Sequence, residues 1–211
     1  MVQPHETDVQ AKTLYAAERK VDWAKYGGDE NLEELEAVWV YVQKLINRKS
    51  FARRYKTTHA RFSVPEKAKP FKLVDYNGKG YIMGSRYRMP TRGDAEGLRI
   101  QATSHGGYAT RDLIALNKWA RQKYIVIHEL AHVVDSNENG WGNKPWHQAH
   151  GWQFCLIYLE LTGLAFGDIA KKELRDSFRN EGVRFLRPRG ARNQCPWDPN
   201  PNRKWVTHRG A

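Results

Sequence analysis

Two cysteines in 211 residues, Cys155 and Cys195, are too few for a disulfide scaffold or a four-cysteine zinc ribbon. No apolar run approaches the roughly 20 residues that a membrane-crossing helix needs, and residues 1–20 lack the charged-then-apolar layout of a secretory signal. A soluble, unexported protein is expected, resident in a reducing cytoplasm: that of a bacterial cell, or of the host if a phage encodes the chain. Acidic side chains are also scarce, 23 against 35 basic ones, for a formal net charge of +12. In their place stand 40% hydrophobic and 12% aromatic residues, enough to build a core. The length suits one domain, 1–186, followed by a basic tail, 187–211, that contains Pro and Trp and has no periodicity.

The positive charge is concentrated. Residues 49–93 carry 12 basic and 2 acidic side chains and residues 171–211 carry 11 and 4, whereas 1–48 and 94–170 are weakly acidic. In the first basic block, cations interleave with aromatics: Phe51, Arg53, Arg54, Tyr55, Lys56, Arg61 and Phe62, then Arg86, Tyr87 and Arg88. Cations neutralise phosphates and aromatic faces stack on unpaired bases, so single- or double-stranded DNA is a candidate partner for 49–93 and 171–211. The competing reading is a basic surface over an aromatic core.

Hydrophobic spacing predicts an N-terminal helical pair in 1–48, with helices over 7–26 and 31–47. The stripe of the second is Leu32, Leu35, Trp39, Val42 and Leu45. Residues 49–118 read as a basic sheet region. Runs at 71–76 and 81–89 flank Asn77-Gly78, a hairpin signal, and further runs lie at 98–103 and 112–116. Residues 119–186 return to helical spacing, at 120–135, 146–162 and 167–180.

Within the first of these helices the chain reads His128-Glu129-Leu130-Ala131-His132. At about 100° per residue, the two histidines lie about 40° apart around the helix and one turn apart along it, so both imidazoles reach one ion. Glu129 projects beside that ion, placed to take a proton from a water the metal activates, as zinc-dependent hydrolysis requires. Its neighbours Ile125, Val126, Ile127, Leu130, Ala131, Val133 and Val134 are apolar. Burying these three polar groups without a partner would cost about several kcal/mol. With 8 histidines and 13 glutamates in the chain, H-E-x-x-H arises by chance in only about 0.02 shuffled sequences, which leaves chance a poor explanation. A catalytic zinc has three protein ligands plus water, so a third is needed from among Asp135, Glu138, His147, His150 and Glu160. The long metzincin pattern would put Gly at 135 and His at 138 and fails on Asp135 and Glu138. The deformylase pattern needs a cysteine upstream of the helix and fails too.

His150 opens His150-Gly151-Trp152-Gln153-Phe154 ahead of an apolar helix. H-E-x-x-H, a loop and then H-G-x-x-F resembles the SprT-like zinc metallopeptidases, the family that includes the DNA–protein crosslink protease Spartan. The likeness spans 111–163: Ile114-Ala115-Leu116 is similar to that family's edge strand, and Leu161-Thr162-Gly163 to the end of its second helix. Leu14-Tyr15-Ala16-Ala17-Glu18 is similar to small predicted metallohydrolases of actinobacteria and their phages.

The resemblance implies a zincin-like α+β fold, with a small, mostly antiparallel twisted sheet packed on an active-site helix. It implies Zn2+ held by His128, His132 and His150, with Glu129 as general base and His147 as the alternative third ligand. Asp135 is expected at the helix end or orienting an imidazole. Tyr158 and His105 are the candidates for stabilising an oxyanion, and a substrate peptide is expected to pair its main chain with the strand at 114–116. SprT-like proteins often carry a second, cysteine-rich zinc module, which Cys155 and Cys195 cannot form. The expected activity is hydrolysis of protein or peptide substrates, including DNA-associated ones. The alternatives are a zinc hydrolase of another amide or narrow peptide, and a nucleic-acid-binding or phage structural protein with a structural zinc.

Overall fold

A computed structural model describes residues 8, 10–64, 71–74, 80–83, 97–104, 106–140 and 149–186, with backbone alone for 71–74 and 80–83. The expected Trp146 helix start, His105, His147, Tyr87, Cys195 and the 187–211 tail lie outside the described residues. The fold mixes α and β: helices α1 (Ala11–Glu18), α2 (Leu35–Ile46), α3 (Lys49–Arg54), α4 (Lys56–Phe62), α5 (Lys123–Asp135), α6 (Trp152–Phe166) and α7 (Asp168–Asn180), with strands β1 (Phe71–Val74), β2 (Gly80–Met83), β3 (Arg99–Ala102), β4 (Gly107–Ala109) and β5 (Leu113–Leu116). No described helix is long and apolar enough to cross a membrane.

The N-terminal helical pair forms, but both members are shorter than expected. The single helix over 7–26 ends at Glu18, and a separate 3-10 turn covers Trp23–Tyr26. Trp23 causes the break. Its indole lies flat on Tyr124, ring centroids 5.0 Å apart, while its Nε1 donates to the Glu18 carbonyl at 2.9 Å. Gly27 leaves the turn at φ 65°, a conformation open to glycine at little cost. In the second helix, Glu33 and Glu34 precede the first turn, because 28–32 run extended beside the start of α5. Asn31 bridges Gln122, and the Leu32 amide donates to the Arg121 carbonyl.

The expected extended start to 49–118 is wrong for 49–62, which form α3 and α4. Phe51, Tyr55, Thr58 and Phe62 are buried at spacings of three and four, a helical pattern that the interleaved cations obscure. These aromatics are core residues, and no face of them is left for bases.

The hairpin signal corresponds to antiparallel β1 and β2, with Phe71 opposite Met83 and Val74 opposite Gly80. The sheet runs β1-β2-β3-β5-β4, antiparallel throughout except for the β3–β5 pair. β4, at glycines that read as a loop, is the added strand and the sheet edge. The run at 114–116, expected at an edge, is instead an inner strand paired on both sides, with all four residues of β5 buried.

Helix α5 packs against β4 and β5 on one side and α6 on another, and α6 packs on α7. Val126, Ile127, Leu130, Ala131, Val133 and Val134 are fully buried, as a helix apolar all round demands. Ile114, wholly buried in the middle of β5, joins sheet to core. Ile114→Ala is expected to destabilise the protein by about 2–5 kcal/mol, read from the urea midpoint at unchanged slope.

Candidate metal centre

His128 and His132 project from one face of α5, ring centroids 5.1 Å apart. His150 comes from the turn before α6, where Gly151 caps the helix, and brings its ring within 5.2 Å of His128 and 4.8 Å of His132. The three are 4%, 8% and 6% exposed, and their candidate ligand atoms lie within 4.8 Å of one another. Three buried histidines are thus close enough to bind one metal ion.

The nitrogens specify how. His128 Nδ1 lies 2.6 Å from Glu18 Oε1, and His150 Nδ1 is hydrogen-bonded to Asp8 Oδ2. Each imidazole that donates from Nδ1 keeps a lone pair on Nε2, and the two Nε2 atoms face each other at 3.2 Å. Lone pairs at that distance repel unless a shared proton or a cation sits between them. Tetrahedral ligands at about 2.0–2.1 Å from zinc stand about 3.3 Å apart, so the His128–His150 separation and the all-nitrogen donor set are compatible with such an ion.

Among the described residues, the other expected ligand candidates are engaged elsewhere. Glu138 Oε1 accepts from the amide and hydroxyl of Thr58, Glu160 pairs with Arg54 and Lys171, and Asp135, at the end of α5, accepts from Asn139. Cys155 is buried and donates weakly to the His150 carbonyl at 3.7 Å, and burial pushes its thiol far up, away from thiolate chemistry.

Glu129 is 5% exposed, and its Oε2 is buried with no hydrogen-bond partner among the described residues. Burial pushes its carboxyl up to about 7, against a partial opposing pull from His128. Such a group accepts a proton readily near neutrality. β4 crosses directly over it: a Cβ added to Gly107 would stand 2.6 Å from Glu129 Oε1. At His128, burial acts downward but the charge and hydrogen bond of Glu18 outweigh it, so the net shift is upward. His150 is lowered, by burial first and then by His128.

Phe154 floors the site, its ring 4.2 Å from that of His132, and behind it Tyr158 is fully buried against His128. Tyr158 is therefore sealed from any substrate. The accessible phenol is Tyr15, 41% exposed, stacked on His128 at 5.7 Å and edge-on to His150 at 5.5 Å. Burial and the nearby carboxylates Glu18, Glu129 and Asp8 hold its pKa up at about 12, so it remains a donor.

Sequence reasoning missed Asp8, Tyr15, Glu18 and Gly107. One signal was present: Glu18 falls in the stripe of Leu14, Ala17 and Val21, where a carboxylate needs a buried partner. Compared with known proteins, the chain matches no family model, no curated protein and no solved structure.

Two outcomes are expected. Gly107→Ala should displace Glu129, lowering any hydrolytic turnover at least tenfold while the histidines still hold about one metal per chain by elemental analysis. In the metal-free protein, Glu129 keeps a proton in the folded state up to about 7 but loses it near 4.5 when unfolded. Its contribution to stability therefore falls as pH rises through that window. Glu129→Gln should gain on wild type between pH 5 and 8, by on the order of 3 kcal/mol at 1.36 per pKa unit, measured by urea unfolding in chelator.

Proposed function

We propose that this chain is a zinc metallopeptidase of zincin-like architecture, with His128, His132 and His150 as ligands and Glu129 as general base. The observation that carries the reading is the convergence of His150 on the α5 pair beside a buried carboxylate without a partner. A structural zinc site has no use for such a base.

Zinc held there supplies Lewis-acid chemistry, acidifying water and polarising a carbonyl. Glu129 accepts the proton of the attacking water on its carboxylate and delivers it to the leaving nitrogen. Phe154 and the surrounding apolar side chains exclude bulk water from the imidazoles. The substrate main chain pairs with the outer edge of β4, which moves the expected docking strand from 114–116 to Gly107–Ala109. Main-chain pairing selects little by sequence, as suits general proteolysis.

DNA-associated proteins are the substrate class we favour. Lys49, Arg53 and Lys56 lie exposed on α3 and α4, while Phe51, Tyr55 and Phe62 are buried, so attraction to nucleic acid on this face rests on charge.

The test is cleavage of a basic DNA-binding protein by wild type and Glu129→Gln, each with and without single-stranded DNA, read as fragments on a gel. Wild type should cut, faster with DNA and less so with added salt. Glu129→Gln should lose about 10²- to 10⁴-fold in rate with its zinc retained. No fragments from zinc-loaded wild type would overturn general proteolysis in favour of a narrow amide substrate or a structural site.

A further inference from the structure

The N-terminal segment reaches the metal centre through side chains rather than by covering it. Glu18 is 7% exposed, at the end of α1, and meets His128 Nδ1 at 2.6 Å. Asp8, before the helix, takes His150 Nδ1. Between them Gln10, also buried, donates from Nε2 to the His150 carbonyl at 2.5 Å and to the Arg184 carbonyl at 3.1 Å, while its Oε1 accepts the Arg184 amide at 2.7 Å. One stretch of 11 residues, from Asp8 to Glu18, therefore grips one ligand on α5 and another in the turn before α6, and ties the latter to the chain beyond α7.

The chemistry of these contacts is directional. A neutral imidazole has one N–H and one lone pair, and which nitrogen carries which decides whether it can bind a cation in a given orientation. A carboxylate at Nδ1 accepts that proton, leaves the Nε2 lone pair facing inward, fixes the ring and makes Nε2 more basic. From the remainder of the site alone, His128 and His150 would be free to put a proton on Nε2, into the 3.2 Å gap where the ion belongs.

The geometry points to Glu18 and Asp8 as positioning residues of the metal centre, the N-terminal segment setting the metal affinity of ligands that lie more than 100 residues further along the chain. The inference rests on the reading of the three histidines as ligands and is independent of what the site hydrolyses. Glu18 is the stronger contributor because it is buried, whereas the side chain of Asp8 is 28% exposed.

The experiment measures zinc affinity of the full chain by chelator competition, with the visible spectrum of the cobalt-loaded form and the melting temperature of the metal-free form. It compares wild type with Glu18→Gln, Glu18→Leu and Asp8→Asn. Glu181→Gln is the control: Glu181 pairs with Lys20 away from the histidines. Glu18→Gln keeps an oxygen that accepts the Nδ1 proton and should bind zinc about 10-fold more weakly. Glu18→Leu keeps only bulk and should lose about 100-fold with an altered cobalt spectrum, and Asp8→Asn should lose less than Glu18→Gln. The metal-free melting temperature of Glu18→Leu should hold or rise, since a buried carboxylate has gone, a pattern that a merely structural residue would not give. Affinities of both Glu18 variants within twofold of wild type, losses no larger than that of Glu181→Gln, or a wild type that binds neither zinc nor cobalt would overturn the inference. Weakened zinc binding in these variants, together with a zinc-loaded wild type that cuts nothing, would uphold it and remove the peptidase reading.

Discussion

Imidazole lone pairs turned toward one another inside a protein core repel, and the arrangement persists only with a shared proton or a metal ion between them. That constraint organises the histidine-bearing half of this chain. α5 is apolar on every side, so it must be buried, and burial takes His128 and His132 with it. Once there, His128 meets His150, from the turn before α6, and the Glu18 carboxylate at the end of α1, while Asp8, before α1, holds His150. The packing of α5 on α6 and of α1 on α7 is the means by which these four elements meet.

The sheet serves the same centre from the opposite direction. β5 is buried on both faces and paired on both edges, which makes it a rigid support. β4 lies outside it and runs so close to α5 that a side chain at 107 would displace the Glu129 carboxylate. The Glu129 carboxylate thus lies directly beneath an edge strand of the described sheet. Burial of Glu129 raises its pKa toward neutrality.

Legibility in the sequence followed the range of the interaction. H-E-x-x-H could be read because its geometry is contained within one turn of a helix, and the hairpin at 71–83 because an Asn-Gly turn is a local signal. α3 and α4 were misread because surface cations between Phe51, Tyr55 and Phe62 resembled a strand-and-turn pattern, although the buried spacing was helical. β4 was passed over because glycine reads as loop, and here it sits in close contact with a side chain 22 positions away.

By itself the sequence determined that the chain builds a mixed α and β core, that one helix carries two histidines and a glutamate on a common arc, and that the chain is basic in two blocks. Those properties depend on composition and on the 3.6-residue period, which every local segment expresses without knowing its neighbours. Only the tertiary structure decided which strand lies at the edge, and that Glu18 and Asp8 stand behind the imidazoles. Each of these is a contact across a long stretch of chain, set by how whole helices and strands pack, and no period or motif within a single segment encodes it.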